Sequence, residues 1–194
     1  MRRSKKRDHL VDVALGLFYA QGFHATGVEQ IISEAGVARM TLYKHFPSKD
    51  DLIIAALERR DEQIRQWLLN YMVGQGEPRD QLLSMYDALE LWFNDQAFPE
   101  HRFSGCMFIN AAAEFSDYKH KAHQAAARHK AVLTKEITSI VEKAGFSNPD
   151  EIAAELVLLK EGAIVTAQVS GDKSAAVRAK KIASKLLAKE IVTK

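Results

Sequence analysis

Apolar residues recur along this chain at spacings of three and four, the repeat of helices that bury one face. Leu10, Val13, Ala14, Leu17 and Phe18 form a first stripe, which stops at Gln21-Gly22, a pair suited to a helix C-terminus. Val28, Ile31, Ile32 and Ala35 form a second and shorter stripe, starting at Thr26 or Gly27. Gly36 supplies a permissive turn position, and a third short helix follows it. Ser48-Lys49-Asp50-Asp51 resembles a capping box ahead of Leu52, Ile53, Ala56 and Leu57, and predicts a fourth helix running to about Val73. Further helical stretches are expected at about 79–95, 104–115, 118–144, 149–170 and 174–191, separated by Pro, Gly, Asn and Asp breaks. No segment sustains the alternation of a strand, so the chain reads as all-α.

The third helix departs from the pattern. Leu42 and Phe46 share its apolar face with Ala38, yet Met40 and Lys44 project from the other side, with Tyr43 on the flank. Two short helices joined through Ala35-Gly36-Val37 have the length of a helix-turn-helix, whose second helix enters the DNA major groove. In that setting Arg39 donates to guanine, Met40 touches thymine methyls, and Thr41 serves a base or a phosphate. Tyr43, Lys44 and His45 carry donors suited to the phosphate backbone. Lys49 stands in the first turn of a helix, where a cation opposes the macrodipole unless an external anion sits there. Spacing alone does not separate such a unit from an ordinary helical corner.

Charge adds to the picture through its distribution. The 194 residues carry 27 Lys/Arg and 25 Asp/Glu, a net of +2. The first 49 residues hold eight of the basic and four of the acidic ones, so a basic front precedes a slightly acidic body. A front of this kind suits a polyanion; a basic, disordered tail would give the same count over residues 2–7. Cys106 is the single cysteine, which leaves no intramolecular disulfide and fits a reducing cytoplasm. The apolar run ELVLLKEGAIVTAQV is interrupted by Lys160 and Glu161, so no membrane span is expected.

The run TGVEQIISEAGVARMTLYKHFPSKDDLIIAAL closely resembles the DNA-binding domain of TetR-family (tetracycline-repressor-like) transcriptional regulators. The matching features are Phe18, Gly22-Phe23, Thr26, Val28, Ile31 and Ala35-Gly36-Val37, followed by Thr41-Leu42-Tyr43, His45-Phe46, Ser48-Lys49 and Leu52. The resemblance covers about the first 60 residues, and GCMFINAAAEF in the body is similar to a stretch found in many members. It implies an N-terminal three-helix DNA-binding domain, residues 1–48, and a helical effector-binding and dimerisation domain, residues 49–194. It implies that Tyr43 and Lys49 clamp phosphates with help from His45, and that Ala38, Arg39, Met40 and Thr41 face bases. It further implies a homodimeric repressor that reads a palindrome in double-stranded DNA and is released by a small molecule. Two positions depart from the family. Gly27, a DNA-binding candidate with Thr26 beside it, stands where the family often has a Ser or Thr whose hydroxyl caps helix two and touches phosphate, a contact that glycine removes; Ala38 stands where a serine cap is common, forgoing ~0.5–2 kcal/mol.

The body carries few chemical signals. Residues 149–170 and 174–191 are apolar on more sides than one chain usually covers, which points to self-association through these two helices, the alternative being that the single chain buries them. Trp67, Tyr71, Trp92, Phe93 and Met107 are candidates to line a cavity for a small apolar or aromatic effector, or simply form core. Asn110 and Glu114 lie one turn apart in an apolar segment, where burial demands polar partners, a ligand or internal groups. His120 and His123 lack a nearby carboxylate or cysteine set, so with Lys119, Lys121 and Lys130 they read as a solvated face rather than a metal site. No nucleophile elbow, P-loop, dinucleotide fingerprint or Cys-x-x-Cys is present, and no cofactor is expected. A helical enzyme built on His101, Cys106 and Glu114, and a helical interaction module, are the competing readings.

Overall fold

The structure, a computed structural model, describes residues 4–189. Arg2 and Arg3 of the basic front, and the end of the last expected helix, lie outside the described residues. The helices are α1 (Lys5–Gln21), α2 (Val28–Ala35), α3 (Arg39–His45), α4 (Lys49–Val73), α5 (Pro78–Phe93), α6 (Met107–Glu114), α7 (Lys121–Lys143), α8 (Pro149–Ser170) and α9 (Ala175–Lys189). Among the described residues there is no strand, and no helix is long and apolar enough to cross a membrane.

Several helix starts differ from expectation for local reasons. Residues 104–106 stay outside α6, because Gly105 takes φ +85 and a Cβ there would fall 2.0 Å from the Gln168 side chain. The start of α7 moves to Lys121: the Asp117 carboxylate accepts the Lys119 N–H at 2.9 Å, and His120 Nδ1 accepts the Ala122 N–H at 3.2 Å. These side chains hold a turn and then cap the helix.

The chain divides into two compact units. One comprises the chain up to Gln63 with Met107–His129; the other comprises Ile64–Cys106 and the chain from Lys130 onward. Compactness therefore does not change at residue 48. No Gly or Pro interrupts Lys49–Val73, and α4 continues as one helix.

In the first unit α1, α2 and α3 pack around Leu10, Ala14, Phe18, Ile31, Leu42 and Phe46, all buried. His9 Nε2 lies 3.1 Å from the Ala35 carbonyl, and the Arg7 guanidinium sits 5.0 Å from the Phe46 ring centre. Both contacts fasten α1 to the ends of the two short helices. Phe108 on α6 stacks on His129, with ring centres 3.7 Å apart, and His129 Nδ1 lies 2.6 Å from Asp61 Oδ1. The polar face expected around the histidines is thus not solvated throughout. His129 is buried, and His123 Nδ1 lies 2.8 Å from the Phe115 carbonyl.

In the second unit α5, α8 and α9 pack together through Leu82, Met85, Leu89, Leu156, Ala183 and Leu187. Tyr86 donates its hydroxyl to the Leu156 carbonyl at 2.9 Å, and burial pushes its phenol well up. Lys160 is only 3% exposed and pairs with Glu161, which also accepts Lys130 Nζ at 2.5 Å. Lys130 Nζ reaches Cys106 Sγ at 3.4 Å. This buried polar group corrects the expectation of a solvated Lys130.

Candidate nucleic-acid interface

A tight turn connects the two short helices. Gly36 takes the left-handed conformation, φ 60, and the Val37 N–H donates to the Ile32 carbonyl at 3.3 Å. This is a glycine-dependent C-cap, with Ala38 in extended backbone as the residue before α3. No side chain caps α3, as expected from alanine at that position. Leu42 and Phe46 fix the inner side of α3 in the core.

The outer side of α3 collects most of the residues singled out in the sequence. Met40 is 83% exposed, and Ala38, Arg39, Tyr43 and Lys44 are exposed beside it. Thr41 and His45 are half-buried at the margins, and Gly27 is exposed at the start of α2. Met40 makes no contribution to the core, and it stands in the middle of this polar, outward face.

Thr26 does not join this set. Its side chain is fully buried and its hydroxyl donates to the Gly22 carbonyl at 2.7 Å. The hydroxyl satisfies the end of α1, so the expected phosphate contact by this side chain is corrected to a structural one.

Beyond α3, the chain turns through Pro47 into the start of α4. The Asp51 N–H donates to Ser48 Oγ at 3.1 Å, while Asp51 Oδ2 accepts the Ser48 N–H at 3.1 Å and its hydroxyl at 2.7 Å. This reciprocal capping box sets the helix start and places half-buried Lys49 in the first turn. Asp51 thereby serves the cap.

Sequence reasoning missed one member of the surface. Glu29 on α2 pairs with Arg39, whose guanidinium also lies 5.5 Å from the Tyr43 ring centre. Both charged groups are largely exposed. No periodicity connects residues ten apart on different helices, so nothing in the sequence flagged it.

The effector candidates fall in both units. In the second, Trp67 packs against Phe98 with ring centres 5.1 Å apart, and buried Trp92 and Phe93 contact Phe103 at 5.2 and 4.7 Å. Tyr71 is half-buried there. In the first, Met107 is buried and Asn110 half-buried. Glu114 is committed elsewhere: its carboxylate accepts the backbone N–H groups of Phe23 and His24 at 2.9 and 2.7 Å. A ligand contact by that carboxylate is replaced by an internal one. An open groove of about 560 Å3 on α7, reaching Asp150, is lined by none of these candidates. Among the described residues no three His, Cys, Asp or Glu side chains are grouped to hold a metal.

Comparison with known proteins agrees with this geometry. Residues 10–56 match the family model of bacterial regulatory proteins of the tetR family, and residues 78–183 match a tetracyclin repressor-like C-terminal domain. The chain is 26% identical over 163 residues to the HTH-type transcriptional regulator YjdC of Escherichia coli, covering 82% of this chain and 81% of that protein. The crystal structure of a TetR-family transcriptional regulator from Streptomyces coelicolor superposes with a TM-score of 0.86 at 29% identity, over 96% of this chain and 90% of that one. A putative regulator from Streptomyces avermitilis gives 0.82 at 28% identity, over 98% and 100%. A helix-turn-helix with an uncovered, polar-and-methionine face, followed by the helical body of this family, identifies the chain as a DNA-binding transcriptional regulator of the TetR family.

Proposed function

We propose that the protein is a homodimeric repressor whose α3 reads a palindromic operator and whose body binds a small apolar or aromatic effector that releases the DNA. The uncovered face of α3 carries this reading. Arg39, Met40, Thr41 and Ala38 face base edges, where guanidinium, thioether and methyl groups distinguish guanine and thymine in the major groove. Tyr43, Lys44, His45 and Lys49, with the exposed backbone at Gly27, take phosphates and set register. Residues 1–48 act as the reading head, and residues 49–194 as the effector and dimer module.

Support for the dimer comes from apolar side chains left uncovered where α8 and α9 pack. Leu158 is 74% exposed and Val169 78%, with Val165, Val177 and Ile182 also exposed. Two such helices from each subunit make a four-helix interface that covers them. The two reading heads then address half-sites about 34–36 Å apart. Trp67, Tyr71, Trp92 and Phe93 of the second unit supply aromatic walls for an effector. A protein of this kind works in the cytoplasm, beside the chromosome.

The test is binding to DNA fragments flanking the protein's own coding region, wild type against the Tyr43→Ala, Lys49→Ala double variant, at two salt concentrations. Tight, salt-sensitive binding by wild type that the folded variant loses is the expected result. Equal binding by a folded variant overturns the phosphate assignment. No preference for these fragments over random duplex moves the operator elsewhere on the chromosome, whereas wild type that binds no duplex even at low salt overturns the reading of α3.

A further inference from the structure

Glu29 is an anomaly on a face meant for a polyanion. It is exposed, lies at the start of α2, and its carboxylate pairs with Arg39. A carboxylate beside DNA repels phosphates and cancels one of the few cations on this surface. Acidic character in the first turn of α2 favours the helix dipole, but that needs no particular partner across the turn. The partner it has is the arginine of the base-facing helix, held on its other side by Tyr43.

We propose that Glu29 is a specificity-determining positioning residue: its carboxylate and the Tyr43 ring together fix the Arg39 guanidinium for one guanine. The inference rests on α3 being the base-facing helix. An arginine carries five N–H donors in a rigid fork. Glu29 engages one end of that fork through Nη1, and the aromatic face fixes its plane. Donors left over face outward with their direction set before DNA arrives. A free arginine on the same helix would swing to the nearest phosphate, gaining affinity without sequence information. Glu29 therefore acts twice, orienting the reading of one base pair and opposing capture of Arg39 by the backbone.

The experiment begins with wild-type protein and a pool of randomised duplexes, to obtain the preferred site and the base pair at which Arg39→Ala loses discrimination. Glu29→Gln, Glu29→Ala and the Glu29→Ala, Arg39→Ala double variant are then measured on that site, on each single-base change in it, and on random duplex, across a salt series. Glu29 is exposed and pairs only across the surface, so thermal melting of the variants should match wild type. Removing Glu29 should relax discrimination about tenfold at the Arg39-dependent base pair alone. Binding to random duplex should strengthen, and its salt slope should steepen by about one unit as Arg39 turns to a phosphate. The double variant should discriminate no worse than Arg39→Ala. Unchanged discrimination in Glu29→Ala, or loss spread evenly over all positions, overturns the inference while leaving the regulator reading intact. Wild type that selects no sequence overturns both.

Discussion

The Glu114 carboxylate at the end of α6 clasps the backbone of Phe23 and His24, which link α1 to the reading helices. Its two oxygens accept both N–H groups at 2.9 and 2.7 Å, and His24 Nδ1 lies 3.0 Å away. Gly22 makes this approach feasible: it takes φ +91, and a Cβ there would stand 2.9 Å from Glu114 Oε1. Phe115 adds ring contacts to Phe23 and His24 at 5.7 and 4.8 Å. The link binds α6 to the DNA-reading segment within one compact unit.

Replacing Glu114 with Gln should therefore destabilise the protein by about 1–3 kcal/mol, because charge-assisted bonds to two backbone donors weaken together. The midpoint of urea unfolding should fall at unchanged slope. Gly22→Ala should cost at least as much, through the positive φ and the displaced carboxylate. A Glu114→Gln midpoint equal to wild type would show the clasp to be energetically idle.

The same clasp has a pH signature. Burial alone raises the Glu114 carboxyl, but the His24 and Phe23 N–H groups and the His24 side chain outweigh it and hold the pKa below its ordinary 4.5. A carboxyl depressed in the folded state adds stability that is complete above the unfolded value and lost as pH falls through the folded one. The stability difference between wild type and Glu114→Gln should be full at neutral pH and shrink below about 4.5. Denaturant titrations between neutrality and acid check the sign; a gap that widens on acidification contradicts it.

Local features made the reading head legible and distance hid its supports. Periodicity, Gly36 and the Ser48 box act within a few residues, so they located α2, α3 and the start of α4. The His129–Asp61 contact joins residues 68 apart, and the Phe23–Glu114 bond joins residues 91 apart. Neither pairing leaves a periodic trace, which is why the histidine helix read as solvated and the partner of Glu114 stayed open between a ligand and internal groups. Thr26 failed differently. A hydroxyl before a helix can serve a phosphate or the preceding turn, and only burial decides between them. The division at residue 48 follows function by resemblance, whereas the two compact units part within α4, between Gln63 and Ile64.

The apolar side of α8 and α9 yields a prediction about assembly. Leu158→Asp with Val169→Asp places two charges on the apolar surface of the proposed interface, and both replaced side chains are exposed in the subunit. Sedimentation should show wild type as a dimer and the double variant as a monomer with unchanged helical content. Operator affinity should fall by orders of magnitude, since the two half-sites are then bound separately. A variant that remains dimeric would move the interface elsewhere.

Lys160 and Glu161 give the last prediction, because removing either partner has an unequal effect. Burial drives the Lys160 pKa down, with Lys130 adding to the shift, and Glu161 opposes both. Burial would raise the Glu161 carboxyl, yet Lys160 and Lys130 outweigh it and hold it low, so the carboxylate stays charged between the two lysines. Glu161→Gln leaves a buried Lys160 ammonium beside Lys130 with no counter-charge, and should cost about 3–5 kcal/mol. Lys160→Met removes the buried charge and keeps the Lys130–Glu161 pair, so it should be neutral or stabilising. Urea unfolding of the two variants measures the asymmetry. Equal destabilisation would mean that the side chain of Lys160 is held for packing shape rather than tolerated through its charge pair.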